Sequence, residues 1–247
     1  MPRFFVSTED IIDGIAKITA DDARHIARSL RMAAGDTVTI CNGLGTEYTA
    51  RLTKIRDEEC LCEIIDEALS TAEPKIELTL FMAYPKGDKL EIVTQKSVEL
   101  GVSHIIPFES SRCIKKPSND KEEKNIARLT RIADEAAKQC GRARLARVHG
   151  TMDFSTLLSA VKNYDKVLFC YECATEDNSL KKALTELNAE TTKSIAVIVG
   201  SEGGFSEQEA AALVEHGAIP VSLGKRILRC ETAPTFIFSA ISYQYEL

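Results

Sequence analysis

No stretch of the 247-residue chain comes near the roughly 18 apolar residues that a membrane-spanning helix needs. The opening MPRFFVSTED has too short an apolar run for a secretory signal and meets Glu9 and Asp10 at once. A cytoplasmic protein is therefore expected. There is no low-complexity tract and no internal repeat. The four histidines (25, 104, 149 and 216) are scattered, and Cys170-Tyr-Glu-Cys173 is a lone C-x-x-C with no second pair at zinc-binding spacing. No metal is expected, and the eight cysteines read as reduced thiols. No Gly-Lys-Ser/Thr follows the glycine-rich turn at 200–204, and no G-x-G-x-x-G opens a helix, which excludes a P-loop and a dinucleotide fingerprint. No Ser-His-Asp set or carboxylate pair is legible, so hydrolysis is disfavoured.

Positive charge is also in deficit, with 31 Lys and Arg against 37 Asp and Glu for a net charge of −6. The chain as a whole is no polyanion binder. Its cations are nevertheless concentrated: Arg24, Arg28 and Arg31 recur at helical spacing, and Arg128, Arg131, Lys138, Arg142, Arg144 and Arg147 crowd a second segment. Such local faces suit nucleic acid, and they equally suit a solvated helix surface.

What is present falls into two rhythms. Residues 1–72 are β-rich, with short β-branched runs at 37–41, 46–55 and 60–66, and one helix expected over 21–31. This pattern predicts a small barrel or sandwich. From residue 73 to 247, apolar runs at 76–82, 104–108, 144–148, 166–171, 195–199 and 219–223 alternate with helical patterns, which predicts an α/β domain with a mainly parallel sheet. Asp88 with Glu91 and Ser206 with Glu209 read as capping boxes, Asp153 and either Asn178 or Ser179 as caps, and Thr232 as the N-cap of a last helix carrying Ala233, Phe236, Ile237, Ala240 and Ile241 at 3.6-residue spacing. The strands ending at Val199 and Leu223 deliver two polar loops to the edge of the sheet where ligands bind. One holds Gly200-Ser-Glu-Gly-Gly204, whose glycines permit positive φ and close approach to a ligand. The other holds Arg226, Arg229 and Glu231. Arginine there could pair with Glu231, contact RNA phosphate or stabilise a developing anion.

The segments Gly200–Ser206 and Leu223–Ala233 resemble the two C-terminal signatures of the RsmE family. Further matches follow in order: Met1–Val6, His25–Met32 with Gly35-Asp36, Lys86-Gly-Asp-Lys-Leu-Glu91, Gln95-Lys96 with Glu99–Gly101, Pro107 with Ser111-Arg112, and Glu135–Gln139 with Arg142. Ser201 and Lys225 stand where that family often has proline, and Cys230 stands where it has threonine. The resemblance implies a trefoil-knotted SPOUT methyltransferase domain behind an N-terminal PUA-like β-barrel, and a homodimer. The implied reaction is transfer of a methyl group from S-adenosylmethionine to N3 of a uridine (the family's uridine 1498) in 16S rRNA of the small ribosomal subunit. Carried over, the donor pocket would use the strand end Leu168–Tyr171, then Gly200, Glu202, Gly203 and Gly204, then Leu223, Gly224, Ile227, Leu228, Arg229 and Thr232. Arg229, then Arg226, would stabilise the uracil anion, and Glu231 would orient the arginine or accept the proton. Arg3, Arg24, Arg28, Arg31, Arg112 and Arg142 are the expected RNA contacts. Two alternatives stand beside this reading: a SPOUT enzyme with another RNA target, and an RNA-binding protein without turnover.

Overall fold

The computed structural model describes residues 1–114, 119–174, 176–188 and 190–247. Two compact units emerge, 1–73 with 137–145, and 74–136 with 146–247. The division expected at 72/73 did not anticipate that 137–145 packs with the first unit. The reason is local: Glu73 accepts hydrogen bonds from Arg142 and from the Ala143 and Arg144 N–H groups.

The first unit is a six-stranded sheet in the order β1-β4-β5-β6-β3-β2, with strands β1 (Arg3–Phe5), β2 (Ile11–Ile12), β3 (Ile15–Thr19), β4 (Thr37–Cys41), β5 (Thr46–Ile55) and β6 (Glu59–Leu69). Only β1 and β4 run parallel. Alternation sends Ala16 and Ile18 of β3 inward with Ile40, Leu52, Cys60 and Cys62, while Lys17 and Thr19 face water. The long β5–β6 pair shifts register at Thr49/Ala50 and Leu52/Lys54, where bulges bend the strands. The helix expected over 21–31 is shorter and irregular. Helix α1 (Ala20–Arg24) runs into a π-helical turn at His25–Ser29, and Arg31 lies beyond it at φ +51°. Strands β1 to β3, too short or too weakly patterned to be read from sequence, complete the sheet.

In the second unit every strand pair is parallel, in the order β12-β10-β11-β7-β8-β9. The strands are β7 (Glu77–Ala83), β8 (Val102–Phe108), β9 (Arg147–Val148), β10 (Lys166–Cys170), β11 (Ser194–Val199) and β12 (Ile219–Val221). They alternate with α2 (Lys89–Glu99), α3 (Asn119–Cys140), α4 (Phe154–Ala160), α5 (Leu180–Thr185), α6 (Glu207–Glu215) and α7 (Thr232–Tyr245). Because β11 inserts between β10 and β7, the ends of β10, β11 and β12 are neighbours and their three loops meet at one edge. Three expectations about the helices and one about a strand need correction. Asp88 precedes α2 but makes no side-chain cap, its backbone at φ −96° and ψ 12° lying outside the extended conformation of an N-cap, and Glu91 pairs with Arg128 at 2.8 Å. Thr232 is the first residue of α7, not its cap. Phe236 is 43% exposed, because the buried stripe runs through Ala233, Ile237, Phe238 and Ile241. The run at 144–148 contributes only a two-residue strand.

Candidate active site

The glycine-rich turn follows β11 directly. Its backbone closes on itself where Gly204 N–H donates to the Ser201 carbonyl at 3.0 Å, with Gly204 at φ +63°, a conformation that favours glycine. A Cβ on Gly200 would lie 3.1 Å from the Gly204 backbone, tight enough that the turn would have to give by a few tenths of an ångström to admit a side chain there. Phe205 anchors the turn in the core, stacked on Phe108 and edge-on to Phe169. The capping box expected at Ser206 and Glu209 starts α6. Glu209, itself buried, also accepts the Ser111 N–H at 2.6 Å. Arg112 reaches the Gly203 carbonyl at 2.9 Å. The segment after β8 is therefore fastened both to the turn and to the first turn of α6.

A cavity of about 440 Å³ opens where the loops after β10, β11 and β12 meet. Of the residues carried over as donor contacts, Tyr171, Gly200, Glu202, Gly204, Leu223, Gly224, Ile227, Leu228 and Arg229 line it. Three do not. Leu168 is buried within β10, with its neighbours on β11 and β12 paired to it. Gly203 faces the Arg112 side chain, and Thr232 is exposed at the start of α7. Arg226 lines the cavity, and Glu231 stands beside it.

Lys89, at the start of α2, was not among the sequence-derived site residues, although it lies in the quoted block Lys86–Glu91. Its Nζ lies 2.8 Å from Glu202 Oε1 and 3.4 Å from Glu231 Oε2. Glu202 Oε1 also accepts the Lys86 N–H at 3.1 Å. Cys230 donates to Glu231 Oε2 at 3.3 Å, and Arg229 Nη1 lies 3.9 Å from Glu231 Oε1. Burial tends to raise the Glu202 and Glu231 carboxyls, but hydrogen bonds and Lys89 outweigh it and hold both below the usual range. Burial first, then the Glu231 hydrogen bond, pushes the Cys230 thiol up to about 12. The cavity thus holds ionised carboxylates and a neutral thiol. Ser201 and Cys230, inside the carried-over loops, line it as well, and Phe205 and Val221 do so without having been anticipated. A side chain at a strand end or in a turn shows no periodicity that would single it out.

The expected RNA contacts fare unevenly. Arg142 is 2% exposed and bonded to Glu73, so it has no surface to offer a phosphate, and that expectation is corrected. Arg3 is half-buried against Glu47 at 3.0 Å. Arg24 and Arg28 are exposed but paired with Asp21 and Asp57. Arg31 and Arg112 are exposed. Among the described residues no group of three potential metal ligands occurs, and no helix is long and apolar enough to cross a membrane.

Residues 72–242 match the family model of an RNA methyltransferase domain, and residues 18–66 that of an RNA methyltransferase PUA domain. The chain is 34% identical to the ribosomal RNA small subunit methyltransferase E of Bacillus subtilis, over 100% of this chain and 98% of that protein. Among solved structures it is similar to a ribosomal RNA small subunit methyltransferase E from Neisseria gonorrhoeae bound to S-adenosyl methionine, with a TM-score of 0.84, 30% identity, and coverage of 99% and 98%. A methyltransferase from Legionella pneumophila, in complex with the same donor, gives a TM-score of 0.83 at 27% identity, covering 98% and 96%.

Proposed function

The chain belongs to the RsmE family of RNA methyltransferases, and from that premise we propose that it methylates N3 of one uridine in 16S rRNA of the small ribosomal subunit. The observation that carries the reading is the cavity at the ends of β10, β11 and β12. Its volume falls within the roughly 300–1,000 Å³ of small-molecule sites. Apolar Val199, Val221, Leu223 and Leu228 offer walls for a planar ring. Gly200 and Gly204 admit close backbone approach, and the Glu202 and Glu231 carboxylates complement a cationic ligand. S-adenosylmethionine suits this lining, and when bound it supplies an activated methyl group on a sulfonium.

The protein's part is to hold the acceptor in line and to stabilise its anion. Uracil N3 carries a proton and is a poor nucleophile until that proton leaves. Arg229, 83% exposed at the cavity, is free to meet O2 or O4 of the ionising base, with Arg226 beside it. Glu231 orients Arg229; held as a carboxylate by its partners, it is a weak base. N3 lies on the Watson–Crick edge, so the target base must be unpaired or extruded. The first unit, with Arg24, Arg28 and Arg31 exposed, would grip the RNA backbone, Arg112 would contribute from the second unit, and a second copy of the chain would cover the exposed Phe236 and Tyr243 of α7 in a homodimer. A ribosomal substrate places the protein in the cytoplasm.

The test is transfer of labelled methyl from S-adenosylmethionine to small subunits lacking the modification, with mass mapping of the product nucleoside. N3-methyluridine at one 16S site is expected. Label in another RNA or on another atom would overturn the substrate assignment.

A further inference from the structure

Lys89 is the first residue of α2, a poor place for a cation because the helix dipole presents positive charge there. Its position makes sense through its partners. Glu202 comes from the turn after β11 and Glu231 from the loop leading into α7, and one ammonium reaches both. Residues of both loops line the cavity, and no other ion pair among the described residues joins either of them to α2.

We propose that Lys89 is a positioning residue: it ties the glycine-rich turn and the loop before α7 to the start of α2, setting the shape of the methyl-donor cavity. The proposal rests on the donor reading above. The triad is only partly withdrawn from solvent, with side chains 30%, 29% and 19% exposed for Lys89, Glu202 and Glu231. Ion pairs this exposed contribute little to folding, and both loops have other anchors, Phe205 in the core for one and the start of α7 for the other. The clamp therefore shapes the site more than it stabilises the fold. Without it, two carboxylates within reach of one point repel each other. Glu202 keeps the Lys86 N–H, Glu231 keeps the Cys230 thiol, and Arg229 remains 3.9 Å away, but among the described residues no hydrogen bond or ion pair then joins the two loops.

The experiment is calorimetric binding of S-adenosylmethionine and of its demethylated product to the full-length wild type, Lys89→Met and Lys89→Arg, with melting curves for each. In Lys89→Met, binding of both should weaken by about tenfold or more, with the melting temperature nearly unchanged. Lys89→Arg should restore binding to within about threefold, because a guanidinium can also bridge two carboxylates. The acid limb of donor binding should also move to higher pH in Lys89→Met, as Glu202 and Glu231 lose the cation that keeps them ionised. Unchanged donor binding in Lys89→Met overturns the proposal. So does a loss that tracks a large fall in melting temperature and is not restored by arginine. A wild type that binds no donor would instead overturn the donor reading itself.

Discussion

Arg142 donates through both Nε and Nη2 to one oxygen of Glu73, at 3.1 and 2.9 Å, while the other oxygen accepts the Ala143 and Arg144 N–H groups at 3.0 and 2.9 Å. One partly buried carboxylate thus holds the segment after α3 in the first unit. Arg142→Met leaves the partly buried Glu73 without its cation, and the cost should approach, from below, the roughly 3–5 kcal/mol of breaking a fully buried pair. Urea unfolding should register that loss. A change below about 1 kcal/mol would mean the pair is replaceable by solvent.

Glu209 gives a pH signature. Burial alone would raise its carboxyl above the ordinary 4.5, but hydrogen bonds from Ser111 and Ser206 outweigh burial and lower it. A group depressed in the folded state adds stability that is fully present above pH 4.5 and is lost as pH falls through the lower folded value. Glu209→Gln should be less stable near neutrality by about 1.5–3 kcal/mol, the range for hydrogen bonds to a charged group. Its stability should also decline less steeply on acidification than the wild type's. Parallel acid limbs would show that Glu209 is not the titrating group.

The parallel sheet was legible because buried strands read as apolar runs, as the run at 195–199 within β11 shows, and in the first unit β5 has the bounds 46–55 read from its β-branched residues. Ser206 and Glu209 declared the start of α6 in the same way. The cavity was legible in part, since its two loops could be placed at strand ends. Lys89 was not, because a lone lysine opening a helix acquires meaning only when the fold brings Glu202 and Glu231 to it. The misreading of Arg142 has the converse cause: periodic cations look alike in sequence, and only packing distinguishes the one turned inward toward Glu73. Asp88 and Glu91 had the spacing of a capping box, yet the Asp88 backbone lies outside the extended conformation of an N-cap, and Glu91 pairs with Arg128.

The thiols divide by environment. A thiol whose pKa stands at about 12, as for Cys230 and Cys170, is roughly one part in ten thousand thiolate at pH 8. Cys173 is exposed. Alkylation at pH 8 followed by peptide mass analysis should therefore label Cys173 well before Cys230, although Cys230 borders the cavity. Comparable labelling rates would mean that Cys230 is exposed to the reagent as a thiolate and that its contact with Glu231 does not persist.

Arg229 and Glu231 separate two accounts of the chemistry. The Arg229 side chain is almost fully solvated and lies 3.9 Å from Glu231, so Arg229→Ala should alter stability by no more than about 0.5 kcal/mol. If the guanidinium stabilises the uracil anion, the same change should lower the transfer rate by about 10²–10³, as loss of an anion-stabilising donor does. Glu231→Gln then distinguishes orientation from proton transfer. Glu231 is held below the ordinary carboxylate range, so at neutral pH it is ionised and only weakly basic. An orienting role predicts that Glu231→Gln, which keeps an oxygen to accept from Arg229, retains far more activity than Arg229→Ala. The rate should then climb with pH in both the wild type and Glu231→Gln, because the rate-limiting population is the ionised base. A collapse of Glu231→Gln to the level of Arg229→Ala, with loss of an acid limb in the pH profile, would assign the proton to Glu231 instead.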